Sequence, residues 1–397
     1  MFAGLSLDQA PPFEAPLKFF LTAPLLAILG SLMVLFGGVN IVALHLITIG
    51  FMITMMFGAM QQMLPVVAGV VIKKPQFIAN FTYTFLLLFL FSFSYGLYFD
   101  NKTALVVSMG SLLLSIAFFS FVSLKGLLGV QNRSLIVNGM IASFGFFIVA
   151  FLLGGYMLYL HSSSNIEELY LILLLLHSNI IFFGWVFLLI ATISFQVIPM
   201  FWVCEAYTKD EQKIIIFGIT LSLLFLIVNT IFSFGLEFIF KLLIVGTGVY
   251  FTFLTYLKLK NRKRKLKDQS VLFWQTGLFF FIFGLCSFIA SEFVEFDRVI
   301  IIALFGGFAI SIINGMAYKI IPFLTWFHLS SKGIFTVPNM RDMIDDKFIT
   351  IQRYLHIFSF IIFLFDSSIG AFLFLVSNGL LFYNLLVPAK IYFQLKS

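Results

Sequence analysis

The chain has 397 residues, 61% of them hydrophobic and only 10% charged, with a formal net charge of +7 at pH 7. A soluble domain carries roughly 25% charged residues, and no soluble fold of this size has an interior for so much apolar surface, so the composition demands lipid as part of its solvent. Two cysteines, Cys204 and Cys286, fall in separate apolar segments and outside any CxxC pair, which excludes a disulfide framework and gives no basis for a zinc or iron–sulfur site.

The first residues, MFAGLSLDQAPPFEAPLKFF, have no basic start before an apolar core and carry Pro11, Pro12 and Pro16, so they predict a short cytoplasmic arm rather than a cleavable signal. Apolar runs then predict twelve transmembrane helices near 16–38, 40–72, 77–99, 103–128, 135–160, 170–203, 214–236, 239–257, 271–290, 299–327, 349–366 and 369–389. The fold class is an all-α polytopic membrane bundle in a single domain. The second, sixth and tenth runs are the long ones. The 56 phenylalanines read as lipid-facing filler.

Charge sets the orientation. The even-numbered loops hold Lys73, Lys74, Lys125, Arg133, Lys209, Lys213, the run from Lys258 to Lys267, Lys332, Arg341, Lys347 and Arg353, whereas the odd-numbered loops hold only Lys102, Lys241 and Arg298. Basic residues in short loops mark the cytoplasmic side, so both termini are expected there, in a bacterial inner membrane. The run from Lys258 to Lys267 lies between two spans and reads as a topology anchor beside anionic lipid, with no nucleic-acid partner implied.

The three long spans share a pattern. Gly50-Phe51, Gly184-Trp185 and Gly307-Phe308 are each followed by a long polar residue twelve positions after the glycine (Gln62, Gln196, Lys319) and by a proline fifteen positions after it (Pro65, Pro199, Pro322). These segments stand four spans apart, so the chain divides into three four-helix units, approximately 1–130, 131–260 and 261–397. Glycine lets a neighbouring helix or a flat cofactor approach the backbone, proline frees a carbonyl, and a polar side chain in lipid needs a partner, so Gln62, Gln196 and Lys319 are expected to form a polar interior.

Three times four helices, with the segments HLITIGF and GAMQQMLP, FGWVFLLIATISFQVIPMF and MAYKIIPFLTWFHL in the long spans, resembles subunit I of the haem–copper oxidases and the NnrS-like membrane proteins. The resemblance covers the chain by architecture and these three segments by motif. It implies that His45 takes the position of the family's haem-ligating histidine on the second helix and that His177 lies nearest the sixth-helix copper ligand. The sequence also departs from that family. It has five histidines in all, the seventh span has none, and Ile302 stands where the tenth span would match His45. This argues against oxygen reduction by the family's mechanism.

His45 and His177 lie at similar depth in the outer half of their spans, and two opposed imidazoles can hold one haem axially or a copper ion. Gly50 and Gly184 would leave room for a flat ring. At about 100° per residue, Met52, Met56 and Met63 fall on the His45 face, and imidazole with thioether suits Cu(I). His161 and His328 are expected at the membrane edges, and His356 in the inner half of the eleventh span, away from the others. Lys319 would either snorkel or meet an anionic group. Neither a P-loop, nor a Ser–His–Asp set, nor a charged relay across the membrane is evident. Three functions follow as expectations. One is a non-oxidase relative of the oxidase subunit, binding haem with or without copper for electron transfer or for handling nitric oxide or metal stress. The others are a transporter or metal permease and a cofactor-free structural or assembly subunit of a respiratory complex.

Overall fold

A hydrocarbon environment leaves backbone groups no partners but one another, and a helix satisfies them within one segment. The computed structural model, described for residues 12–163, 168–295 and 297–396, accordingly holds twelve helices and, among those residues, no strand. They are α1 (Glu14–Leu35), α2 (Asn40–Ala68), α3 (Pro75–Tyr98), α4 (Lys102–Leu128), α5 (Leu135–Ser162), α6 (Leu169–Trp202), α7 (Lys209–Phe232), α8 (Glu237–Lys260), α9 (Gln269–Ala290), α10 (Arg298–Ser330) and α12 (Ser367–Lys396), with α11 at Asp346–Phe363. All but α11 are long and apolar enough to cross a bilayer by themselves. Asp346, Lys347 and Arg353 dilute α11, which is held instead by its packing on α12 and α10. The expected arm lies mostly outside the described residues, through residue 11.

Successive helices pack on one another, and α12 returns against α1, so the bundle closes into a ring. The closure is specific: Tyr392 meets Phe13 edge-to-face at 5.0 Å, and Lys396 pairs with Glu14. Twelve crossings therefore bring both ends of the chain to one face, the face that carries the basic loops. On the opposite face Lys241 is neutralised by Glu237 and Glu292.

α2, α6 and α10 form the centre. Their apolar windows are 67%, 72% and 61% buried, against 33–50% for the other spanning helices. α6 and α10 are the longest at 34 and 33 residues, while α12, at 30, slightly exceeds the 29 of α2. The threefold pattern has a packing counterpart. A Cβ on Gly50 would stand 2.9 Å from Leu26 of α1, one on Gly184 2.6 Å from Phe146 of α5, and one on Gly307 2.8 Å from Phe280 of α9. Each glycine thus admits a side chain from the first helix of its own four-helix unit. The aromatic residue after it, Phe51, Trp185 or Phe308, is fully buried in each case.

Phenylalanine does more than fill the lipid face. Phe121, Phe217, Phe253 and Phe279 do face outward, but Phe57, Phe119, Phe144, Phe147, Phe183, Phe187 and Phe251 are wholly buried. Inside, Phe182 stacks on Phe305 and Phe281 on Phe308, each pair at 4.2 Å. Lipid tails supply no hydrophobic force between helices, so close ring packing of this kind is what holds them together.

Candidate functional site

α2 and α6 are not regular throughout. Each contains a π-helical stretch, Leu46–Ile53 in α2 and Ile180–Phe187 in α6, and both stretches run from four residues before the repeat glycine to three after it. α10 stays α-helical through the matching segment. The two inner helices that widen are the two that carry a histidine just ahead of the wide turn. π-Turns of this kind are common at functional sites.

His45 and His177 are fixed in the same way. His45 Nδ1–H donates to the Ile41 carbonyl on its own helix at 2.8 Å, and the ring leans on Phe93 of α3 with centroids 5.0 Å apart. His177 Nδ1–H donates to the Ala150 carbonyl of α5 at 2.8 Å. A carbonyl oxygen can only accept, so Nδ1 carries a proton in both rings, and in the neutral ring Nε2 keeps its lone pair. Gly154 makes the second placement possible, because a Cβ there would come within 3.1 Å of His177 Cε1. The two imidazoles are half-buried and lie within electrostatic reach of each other. Two neutral rings, each anchored through Nδ1 and presenting Nε2, are the donor set that a haem iron or a Cu(I) ion takes.

The other expected site residues separate from this pair. Leu26 and Phe146 occupy the space above Gly50 and Gly184, so these glycines serve helix packing and leave no slot for a flat ring. Met56 does not share a face with His45. The wide turn between them takes up an extra residue, which offsets the register by about 100°. Met55, Met56, Met60 and Met63 instead line a small, almost wholly apolar cavity of about 90 Å³, where α2 meets Ile193 and Ser194 of α6 and Met316 of α10. Met52 is buried within the wide turn itself.

Gln62 is fully buried and Gln196 half-buried. Lys319, at the matching position of α10, meets an acidic side chain: its Nζ lies 2.5 Å from Asp268 Oδ2, just before α9. Trp202 Nε1–H donates to the same oxygen at 3.1 Å. Burial alone would raise the Asp268 carboxyl, but the Lys319 charge and these hydrogen bonds outweigh it and hold the group below the usual carboxylate range.

The remaining histidines lie apart. His161 is exposed in the last turn of α5. His328, near the basic face, stacks on Phe13 at 5.9 Å. His356 is completely buried, and its Nε2 lies 2.8 Å from Ser311 Oγ of α10. It belongs to a polar interior that the sequence reading overlooked: Ser311, Asn314 and Tyr318 of α10, Gln352 and His356 of α11, and Ser377, Asn378 and Asn384 of α12, nearly all buried. The signal was present as polar residues at helical spacing on each helix, but it is divided among three spans. A second polar set lies at the basic face, where the Tyr207 hydroxyl bonds Thr255 at 2.8 Å and Lys258 pairs with Glu211 at 3.1 Å. Burial raises the Tyr207 phenol there, and pushes the Cys204 thiol up to about 11 against the opposing charges of Arg262 and Lys258.

Among the described residues no group of three or more His, Cys, Asp or Glu side chains converges as a metal site. No protein-family model matches the chain, and no curated protein matches it either.

Proposed function

We propose that this multi-pass membrane protein carries a redox cofactor held by His45 and His177 in the outer half of the bundle, as a non-oxidase relative of haem–copper oxidase subunit I. The observation that carries the reading is the shared anchoring of the two rings. Each Nδ1–H is held by a backbone carbonyl at 2.8 Å, which fixes the tautomer and leaves both Nε2 lone pairs for a metal. A pair of neutral imidazoles is the donor set of a haem or of a Cu(I) ion; a haem would need room for its ring elsewhere than at Gly50 and Gly184, where Leu26 and Phe146 pack. When bound it would supply one-electron exchange. His45 and His177 would both be engaged in holding it, which favours electron transfer over binding of nitric oxide or oxygen.

The protein's own contribution is placement. Ala150 and Gly154 set the His177 ring, and Ile41 and Phe93 set His45. The basic face, by the distribution of Lys and Arg, is the cytoplasmic face of a bacterial inner membrane, which puts the histidine pair near the outer side. There it would exchange electrons with respiratory or other membrane subunits. Copper, which the same two histidines would hold, is the second occupant the donor set allows.

Absorption spectroscopy and metal analysis of the full-length protein purified from membranes test this. A Soret band in the wild type that disappears in both His45→Ala and His177→Ala, with folding retained, is the expected result. Copper at one equivalent without a Soret band would transfer the site to copper. Neither haem nor copper in well-folded protein would overturn the reading.

A further inference from the structure

The interior between α10, α11 and α12 has a one-sided hydrogen-bond account. Asn384 Nδ2–H donates to the Tyr318 oxygen at 2.9 Å, the Tyr318 hydroxyl donates to Gln352 Oε1 at 3.4 Å, and Gln352 Nε2–H donates to Ser377 Oγ at 2.9 Å. The Ser377 hydroxyl returns to the Gln352 carbonyl at 3.4 Å. Asn378 Nδ2–H is used by the Phe374 carbonyl at 2.8 Å. Ser311 donates to the Gly307 carbonyl at 2.6 Å, so its oxygen must accept from His356 Nε2–H.

Apart from Arg353 Nε, whose guanidinium packs over Tyr354, what is left over is all of one kind. Asn314 Oδ1, Asn378 Oδ1, Asn384 Oδ1 and His356 Nδ1 are buried and have no protein partner. Each is an acceptor. The side chains that own them are at most 2% exposed. Unpaired polar atoms are costly in a bundle surrounded by hydrocarbon, and they are normally answered by ordered water or by a bound group. The interior they share is neutral: the groups that touch His356 are Ser311, Phe273 and Phe360. A cation would find no countercharge among these side chains, so the matching guest is a neutral molecule rich in donors.

We propose that this four-helix unit encloses a hydrated compartment in which bound water donates to these four acceptors. It is a site separate from the His45–His177 pair and independent of any cofactor there. Water suits it because one molecule offers two O–H donors and bridges two to four polar partners. Hydration also gives His356 what a lipid-embedded imidazole otherwise lacks, contact through its Nδ1 lone pair with a species that can bring a proton.

Water-edited solid-state NMR of the full chain in lipid bilayers, with labelled Asn and Trp, tests the proposal. The side-chain amides of Asn378 and Asn384 should gain magnetisation from water several-fold faster than the Trp274 indole, whose N–H is directed at the Met316 sulfur. Build-up as slow as that of Trp274 would overturn it. Asn378→Leu gives a second reading on the same preparation. A drop in melting temperature is expected if leucine expels water that serves the other acceptors, and a rise, as for removal of an unpaired acceptor from a dry core, would count against hydration.

Discussion

Lys319 and Asp268 form a close ion pair, 2.5 Å apart, at the one repeat position where a charge replaces the glutamine of the other two units. Both side chains are mostly buried, at 18% and 9% exposure. Removing one partner leaves a buried charge unanswered, which typically costs about 3–5 kcal/mol. Asp268→Asn is therefore expected to lower the melting temperature in detergent markedly. Adding Lys319→Gln, which restores the glutamine of the other repeats, should recover most of the loss. The pH dependence has a definite sign. The folded carboxyl titrates below its unfolded value of 3.8, so the stability it contributes is fully present above pH 4 and is lost as pH falls through the lowered folded value. Melting temperatures from pH 5 to 8 should not register this pair, and scans below pH 4 should.

Gly154 gives a test of the histidine pair that leaves the ligands intact. A methyl group there would press on His177 Cε1 at 3.1 Å and tilt the ring away from the Ala150 carbonyl. Changes in the partners that orient a ligating histidine cost roughly 10–100-fold in metal affinity. Gly154→Ala should retain cofactor correspondingly less well on dilution or competition. Gly155→Ala, where the nearest atom is Leu112 Cδ2 at 3.9 Å, should behave as wild type. Equal retention by the two variants would mean that His177 holds nothing.

The spans were legible because length and hydropathy are sufficient to find a helix in lipid. The threefold repeat was legible because Gly50, Gly184 and Gly307 all meet the same packing demand, room for a side chain from the preceding helix. The facing of Met56 was not, since a constant advance per residue fails across a wide turn, and nothing local in LITIGFMI announces one. Asp268 was missed as the partner of Lys319 because it stands before α9, distant along the chain. The α10–α12 interior was missed because each helix contributes only two or three polar residues, and its character emerges when the three are brought together.

Val203 ends α6 in the left-handed region, with φ of 51°, at the repeat position where Gly69 ends α2 with φ of 66°. Glycine adopts that conformation without strain, whereas a β-branched residue does not. Relief of the Cβ clash, less the entropy glycine loses on folding, should make Val203→Gly more stable by on the order of 1 kcal/mol. Gly69→Val should be destabilised by at least as much. Paired thermal melts of the two variants measure both signs at once.

Cys204 sits just beyond that turn, on a cavity it shares with Glu211, Lys258 and Lys263. Burial disfavours its thiolate more strongly than Arg262 and Lys258 favour it, so the thiol titrates at about 11. Alkylation proceeds through the thiolate, so at neutral pH Cys204 should be nearly inert. In a Cys286→Ala background its rate with iodoacetamide should rise about tenfold per pH unit from pH 7 to pH 10, with no plateau in that range. Lys258→Met removes one of the two stabilising cations and should slow the reaction further at every pH. A plateau near pH 8, or a faster reaction in the Lys258 variant, would show that the thiol meets solvent rather than the packed end of α8.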